Sequence, residues 1–132
     1  MDNTEKKMTV EELYNRLGAD YRDAVSRMLK DERIEKYLRK FLHDPSMSEF
    51  DRAMEDYSHE SIPISNRREA VFCAAHTLKG VAANLALTPL HAAASAVVEQ
   101  MRDRGSDPSD NLVSDLRAAY SAVVGVLRKE LS

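Results

Sequence analysis

Apolar residues recur along this chain at the i, i+3, i+4 and i+7 spacing of amphipathic α-helices, and no segment alternates like a half-buried strand. The stripe in residues 31–43 consists of Ile34, Tyr37, Leu38, Phe41 and Leu42, which we expect to face a core. Similar patterns predict helices over about 47–58, 66–86, 89–104 and 109–131. Such a series, joined by short turns, predicts an all-α fold, an antiparallel four-helix bundle with additional short N-terminal helices. The 31–43 helix could also pack into the bundle, and periodicity does not decide which four helices form it.

Local signals mark where several helices begin and end. Thr9–Glu12 and Ser46–Glu49 each have the Ser/Thr-x-x-Glu spacing of a capping box. Gly18 is expected to end the first short helix, and Asp20 to cap the second. Thr88-Pro89 predicts an N-cap followed by proline at the first helical position.

Length, charge and cysteine usage limit the class of protein. The chain has 132 residues, which suits one domain, and we expect 1–8 to be a flexible N-terminus and 9–132 a single helical domain. The initiating Met and the compact length favour a stand-alone chain. A formal charge of −3 argues against nucleic-acid binding. No apolar run reaches the roughly 20 residues of a membrane span. Cys73 is the single cysteine, so we expect a cytoplasmic protein without an internal disulfide.

The segment AAHTLKGVAANL, residues 74–85, places polar residues and a glycine in the middle of a predicted helix. At about 100° per residue, one wide apolar face lies opposite His76. That face consists of Val71, Ala74, Ala75, Leu78, Val81, Ala82 and Leu85. His76 is therefore predicted to point out of the bundle.

The surroundings of His76 suit a histidine that accepts a phosphoryl group. Gly80, one turn on, removes a side chain that would shield the imidazole, although glycine in a helix costs about 1 kcal/mol relative to alanine. Lys79 is an i+3 neighbour and can place a positive charge beside an anionic group on the ring. The chain has no Gly-rich nucleotide loop and no kinase motif. We therefore expect a phosphocarrier that is not an enzyme and needs no cofactor.

The string His76-Thr-Leu-Lys-Gly80, followed by small residues, resembles the motif of the histidine phosphotransfer (HPt) domain, in particular its small bacterial members. The similarity extends over roughly 9–130. It implies that His76 is the phosphoacceptor, that Lys79 stabilises the phosphoryl group and that Gly80 gives the partner access. The implied partners are response-regulator receiver domains or a hybrid histidine kinase in a phosphorelay, and the implied state is a monomer. The expected docking residues are Phe72, Ala83 and Leu87.

Two positions depart from the family pattern. Ala86 stands where the family usually has glycine, and we expect a small change in packing or docking without loss of the fold. Val98 stands where many members have a Glu or Gln that hydrogen-bonds the histidine ring, and Glu99 and Gln100 follow it.

Two other functions remain open on the sequence. A binding-only adaptor would use the same docking face without phosphotransfer. A metal-binding bundle would use Cys73 and His76, with His91 as the one further candidate ligand, whereas zinc needs three or four protein ligands.

Overall fold

The computed structural model describes residues 8–131, and seven helices lie in this part of the chain. They are α1 (Val10–Leu17), α2 (Tyr21–Met28), α3 (Asp31–Phe41), α4 (Ser46–Asp56), α5 (Ile64–Asn84), α6 (Thr88–Gln100) and α7 (Asp110–Leu131). No strand occurs among these residues, so the predicted all-α fold is confirmed. The largest boundary difference is in α6, which ends at Gln100, four residues before the predicted end. Residues 1–8 were predicted to be a flexible N-terminus, and all of them except Met8 lie outside the described residues. Met8 is half-buried and packs against the core.

Helices α4 to α7 form the bundle, with each helix packed against the next. The Tyr57 hydroxyl, just after α4, donates a hydrogen bond to Asp107, just before α7. Glu69 in the first turns of α5 forms an ion pair with Arg104, just after α6, at 2.9 Å. Each of these two contacts joins the end of one helix to the start of another, as expected for antiparallel helices.

The core lies between these four helices and the N-terminal helices α1 and α3. Burying one large aliphatic or aromatic side chain contributes about 1.5–3 kcal/mol. The largest fully buried side chains are Leu13, Tyr14, Ile34, Leu38, Phe50, Val71, Leu78, Leu87, Leu90, Met101, Leu116 and Leu127.

The predicted caps of the first two helices are confirmed. The Thr9 hydroxyl accepts from the Glu12 amide at 3.1 Å, and the Glu12 carboxylate accepts from the Thr9 amide at 2.8 Å. Gly18 ends α1 with φ 65°, in the left-handed region that glycine enters without strain. The Asp20 carboxylate caps α2 by accepting from the Asp23 amide at 3.0 Å.

Two predicted caps and one core assignment are wrong. Ser46 is already inside α4, where it is buried and makes no capping hydrogen bond, and its amide is bound by the Asp44 carboxylate at 2.8 Å. Thr88 is the first residue of α6 and does not cap it, because the helix begins one residue earlier than predicted. Tyr37 is 42% exposed, since it lies at the edge of the apolar stripe of α3.

Helix α5 ends in a Schellman motif, two residues before the predicted end. The Leu87 amide donates to the Ala82 carbonyl at 2.9 Å, and the Ala86 amide donates to the Ala83 carbonyl at 3.0 Å. Ala86 occupies the left-handed position of this motif with φ 54°, where an L-residue with a Cβ is strained. The Tyr14 hydroxyl of α1 donates to the next orphan carbonyl, that of Leu85, at 2.7 Å.

Ala86→Gly is expected to stabilise the protein by about 1 kcal/mol. Glycine removes a left-handed strain of roughly 1–2 kcal/mol, which exceeds its larger entropy loss on folding. Urea unfolding followed by circular dichroism measures the change. The control is Ala92→Gly at an exposed right-handed position inside α6, which should destabilise by about 1 kcal/mol. A loss of stability in Ala86→Gly would contradict the strain assigned to this turn.

Candidate functional site

His76 projects from the middle of α5 into solvent, as predicted. The face opposite to it is closed, because Val71, Ala75, Leu78 and Ala82 are fully buried. Neither ring nitrogen of His76 forms a hydrogen bond with any residue within 8–131. The imidazole is therefore held by its helix and remains open to a reactant from outside.

One aromatic ring lies beside the imidazole. The ring centres of Phe72 and His76 are 6.1 Å apart, with 31° between their planes. Phe72 is half-buried, one turn before His76 on the same side of α5. The predicted docking residue thus borders the histidine and limits how its ring can tilt.

Gly80 leaves open space one turn after His76. A Cβ added there would meet no heavy atom of the described residues within 4 Å, apart from the adjoining chain and the backbone of its own helix. No close packing within the protein therefore requires glycine at this position. Gly80 is exposed, and it leaves the surface of α5 beside the imidazole without a side chain.

Lys79 is half-buried and lies on the side of α5 that faces α6. The hydrogen bond from Arg102 holds the pKa of the Glu99 carboxyl below its usual value, and the charge of Lys79 adds to this effect. Lys79 is therefore within electrostatic reach of Glu99, although no ion pair with a residue in 8–131 fixes its amino group. Its side chain can reorient toward a new anion.

A cluster that the sequence did not reveal lies behind Phe72. The Arg104 guanidinium carbon is 3.5 Å from the Phe72 ring centre, and Glu69 holds Arg104 from α5. The Cys73 thiol donates to the Glu69 carboxylate at 3.1 Å. The Arg104 guanidinium therefore packs on the Phe72 ring in a cation–π contact.

Cys73 belongs to this cluster as a hydrogen-bond donor. The bond to Glu69 and partial burial raise the pKa of the Cys73 thiol, whereas a metal ligand needs the thiolate. His91 lies apart, in a groove lined by Ala83 and Ala86. Within 8–131 no group of three potential ligands could hold a metal ion.

Leu87 does not lie on the exposed face of α5, so its predicted surface position is wrong, and its docking role stays a prediction. The prediction extended the helical rotation of α5 through 87, but the left-handed Ala86 turns the chain inward. Leu87 is fully buried as a result. Ala83 stays half-buried on the outer side of the last turn of α5.

No residue of the part of α6 facing the site hydrogen-bonds the imidazole in this structure. Val98 is fully buried, and Glu99 pairs with Arg102. The Gln100 amide instead holds the connection to α7, where it donates to the Asp107 carbonyl at 2.9 Å and accepts from the Ser109 amide at 2.9 Å. The imidazole orientation thus depends on α5 and Phe72.

Comparison with known families identifies a matching family model. The family model for the Hpt domain matches residues 36–125, which is more than half of the chain. This range is shorter than the roughly 9–130 over which the sequence resembles the family. The matched part includes His76, Lys79 and Gly80. No curated protein and no solved structure matches the chain. Within residues 8–131, no helix is both long and apolar enough to span a membrane.

Proposed function

The chain belongs to the Hpt domain family, the phosphotransfer modules of two-component signalling, and we propose that its His76 relays a phosphoryl group between receiver domains. The donor is the phosphorylated aspartate of one receiver, which can be part of a hybrid kinase, and the acceptor is the aspartate of another. The observation that carries the proposal is the exposed His76 imidazole beside the uncovered Gly80. An aspartyl phosphate on a folded receiver needs such an open approach.

The transfer forms one bond from nitrogen to phosphorus and breaks one bond from phosphorus to oxygen. A lone pair on the outer nitrogen of the neutral imidazole attacks phosphorus, and the bond from phosphorus to the aspartate oxygen breaks. The carboxylate leaves with the electron pair, and the proton on the other ring nitrogen passes to water. The second step reverses these events, with a receiver carboxylate as the attacking group.

Lys79 serves as the electrostatic support of the phosphoryl group. Its amino group is not fixed by an ion pair in the described part of the chain, so it can turn toward the phosphate. Phe72 and Ala83 border the docking face, and Gly80 provides access to the imidazole. Leu87 contributes to this face only through the packing of the turn beneath it.

Lys79→Gln is expected to lower the transfer rate about tenfold, which corresponds to about 1.4 kcal/mol of lost electrostatic stabilisation at a partly solvated site. Single-turnover transfer from a labelled receiver measures the rate. Lys79→Arg should retain most of it, and the control Lys36→Gln, at an exposed position of α3, should leave it unchanged. Equal rates for the wild type and Lys79→Gln would remove Lys79 from the site.

The expected cellular form is a cytoplasmic monomer. The exposed single Cys73 suits a reducing compartment. Light scattering after size exclusion tests the oligomeric state, and a stable dimer in reducing buffer would contradict it.

The function is tested with isolated receiver domains that carry labelled phosphate on their aspartate. The proposal predicts that label moves to the protein within a single turnover and is then acid-labile and base-stable, as expected for phosphohistidine. Label should next move to a second, unlabelled receiver. Measurable binding of receivers without any transfer would favour the adaptor and contradict the relay.

A further inference from the structure

A second surface feature adjoins the site, and neither the motif nor the family match describes it. It is a groove of about 520 Å³ between α2, α3 and the last turns of α5, and we call it the basic groove. Arg27, Arg33 and Lys40 supply its positive charges. Its apolar floor includes Met28, Phe41, Val81 and Leu85, and the half-exposed Tyr37 forms one wall.

The charge of the basic groove is not balanced from within. Arg27 pairs with Asp23 at 3.1 Å, but Arg33 and Lys40 have no acidic partner within 8–131. Lys40 instead lies 5.3 Å from the Tyr37 ring centre. The one acidic residue of the lining, Asp44, accepts the Ser46 amide. Arg33 and Lys40 thus form no ion pair with the described residues, and the lining has three basic residues against one acidic residue, in a chain of net charge −3.

The basic groove is close enough to His76 for one partner to cover both. Val81 and Asn84, which line it, follow His76 by about 7.5 and 12 Å along the axis of α5. Asn84 is turned about 80° from His76 around that axis, whereas Val81 and Leu85 lie on the face of α5 opposite His76. A typical protein–protein interface covers about 800 Å² on each partner, or a disc of roughly 16 Å radius. A domain centred on His76 therefore reaches the groove at its Asn84 edge.

Part of the basic groove lies outside the segment that matches the family model. The match begins at residue 36, whereas Arg27, Met28 and Arg33 precede it. The groove therefore adds contacts that the phosphotransfer motif itself does not require, and such contacts can distinguish one receiver from another.

We propose that the basic groove is a second docking element, which binds an acidic segment with an apolar side chain on the receiver domain that exchanges phosphate with His76. This inference rests on the proposed function for the identity of the partner. The positive charges of Arg33 and Lys40 favour an acidic segment as the occupant. The apolar floor favours an apolar side chain on that segment, which can pack against it.

The test compares two double variants with the same change in charge. Arg33→Glu/Lys40→Glu reverses both unpaired charges of the groove. The control Arg22→Glu/Lys36→Glu reverses two exposed charges, one on α2 and one on α3, at positions that do not line the groove. The probe is the isolated receiver domain that binds wild type most tightly in a panel of receivers. Titration calorimetry gives the dissociation constant, and single-turnover transfer gives the rate, each at low and high salt.

The groove variant is expected to bind at least about tenfold more weakly at low salt, with a smaller difference at high salt. The control variant should change affinity less than threefold. Equal effects of the two variants would overturn the groove and leave the relay intact. Binding with the groove effect but without transfer would support the groove and contradict the relay. No binding by any receiver of the panel would overturn both.

Discussion

His76→Gln is expected to abolish phosphoryl acceptance while the protein stays folded and still binds receiver domains. The lone pair of a glutamine amide nitrogen is delocalised into the carbonyl, so this side chain offers no nucleophile. The imidazole is exposed, and its one ring contact is with Phe72, so the free energy of unfolding should change by less than about 0.5 kcal/mol. Loss of label then reports chemistry and not loss of structure.

The measurement is single-turnover transfer from a labelled receiver, with affinity determined in parallel. Two matched controls come from the same chain, His59→Gln in the loop before α5 and His91→Gln in the first turn of α6. Both should retain the wild-type rate within about twofold. Residual transfer to His76→Gln, with loss of transfer in either control, would assign the phosphate to another histidine.

Gly80→Leu is expected to reduce transfer about a hundredfold while making the protein more stable. The Cβ of the new side chain enters open space, and leucine favours the helix over glycine by about 0.8 kcal/mol. The same side chain stands one turn from the imidazole, in the path of the receiver. A displacement of about 1 Å from the reacting geometry costs on the order of a hundredfold in rate.

Gly125 in α7 provides the matched control for Gly80. It is also exposed and helical, and a Cβ there would again meet no heavy atom of the described residues within 4 Å. Gly125→Leu should gain similar stability in urea unfolding without losing transfer. Equal transfer by Gly80→Leu and the wild type would show that the glycine gives no access. Equal losses in both variants would show that the effect is not local to His76.

The helices and the outward direction of His76 could be predicted from the sequence because both follow from periodicity. The end of α5 could not. Ala86 has the left-handed backbone of a Schellman turn, but it is not the glycine that marks such turns. A helical rotation continued to Leu87, three residues beyond the end of α5, therefore predicts a surface position for a residue that is buried.

Other features depend on contacts between segments distant in the chain. Arg104 stacks on Phe72 because the connection after α6 passes the first turns of α5, and no local pattern indicates that. Ser46 has a capping-box spacing, but Asp44 binds its amide and the box does not form. The basic groove combines α2, α3 and α5, so its unpaired charges are visible only after these helices pack.

Localisation of the phosphate is the most direct test of the account. The wild-type protein is phosphorylated from a receiver, digested at alkaline pH to preserve phosphohistidine and analysed by mass spectrometry. The chain has four histidines, and the account predicts one phosphoryl group on His76 and none on the other three, His43, His59 and His91. Phosphate on any of those three, or unmodified protein after exposure to receivers that bind it, would contradict the assignment of His76 as the phosphoacceptor.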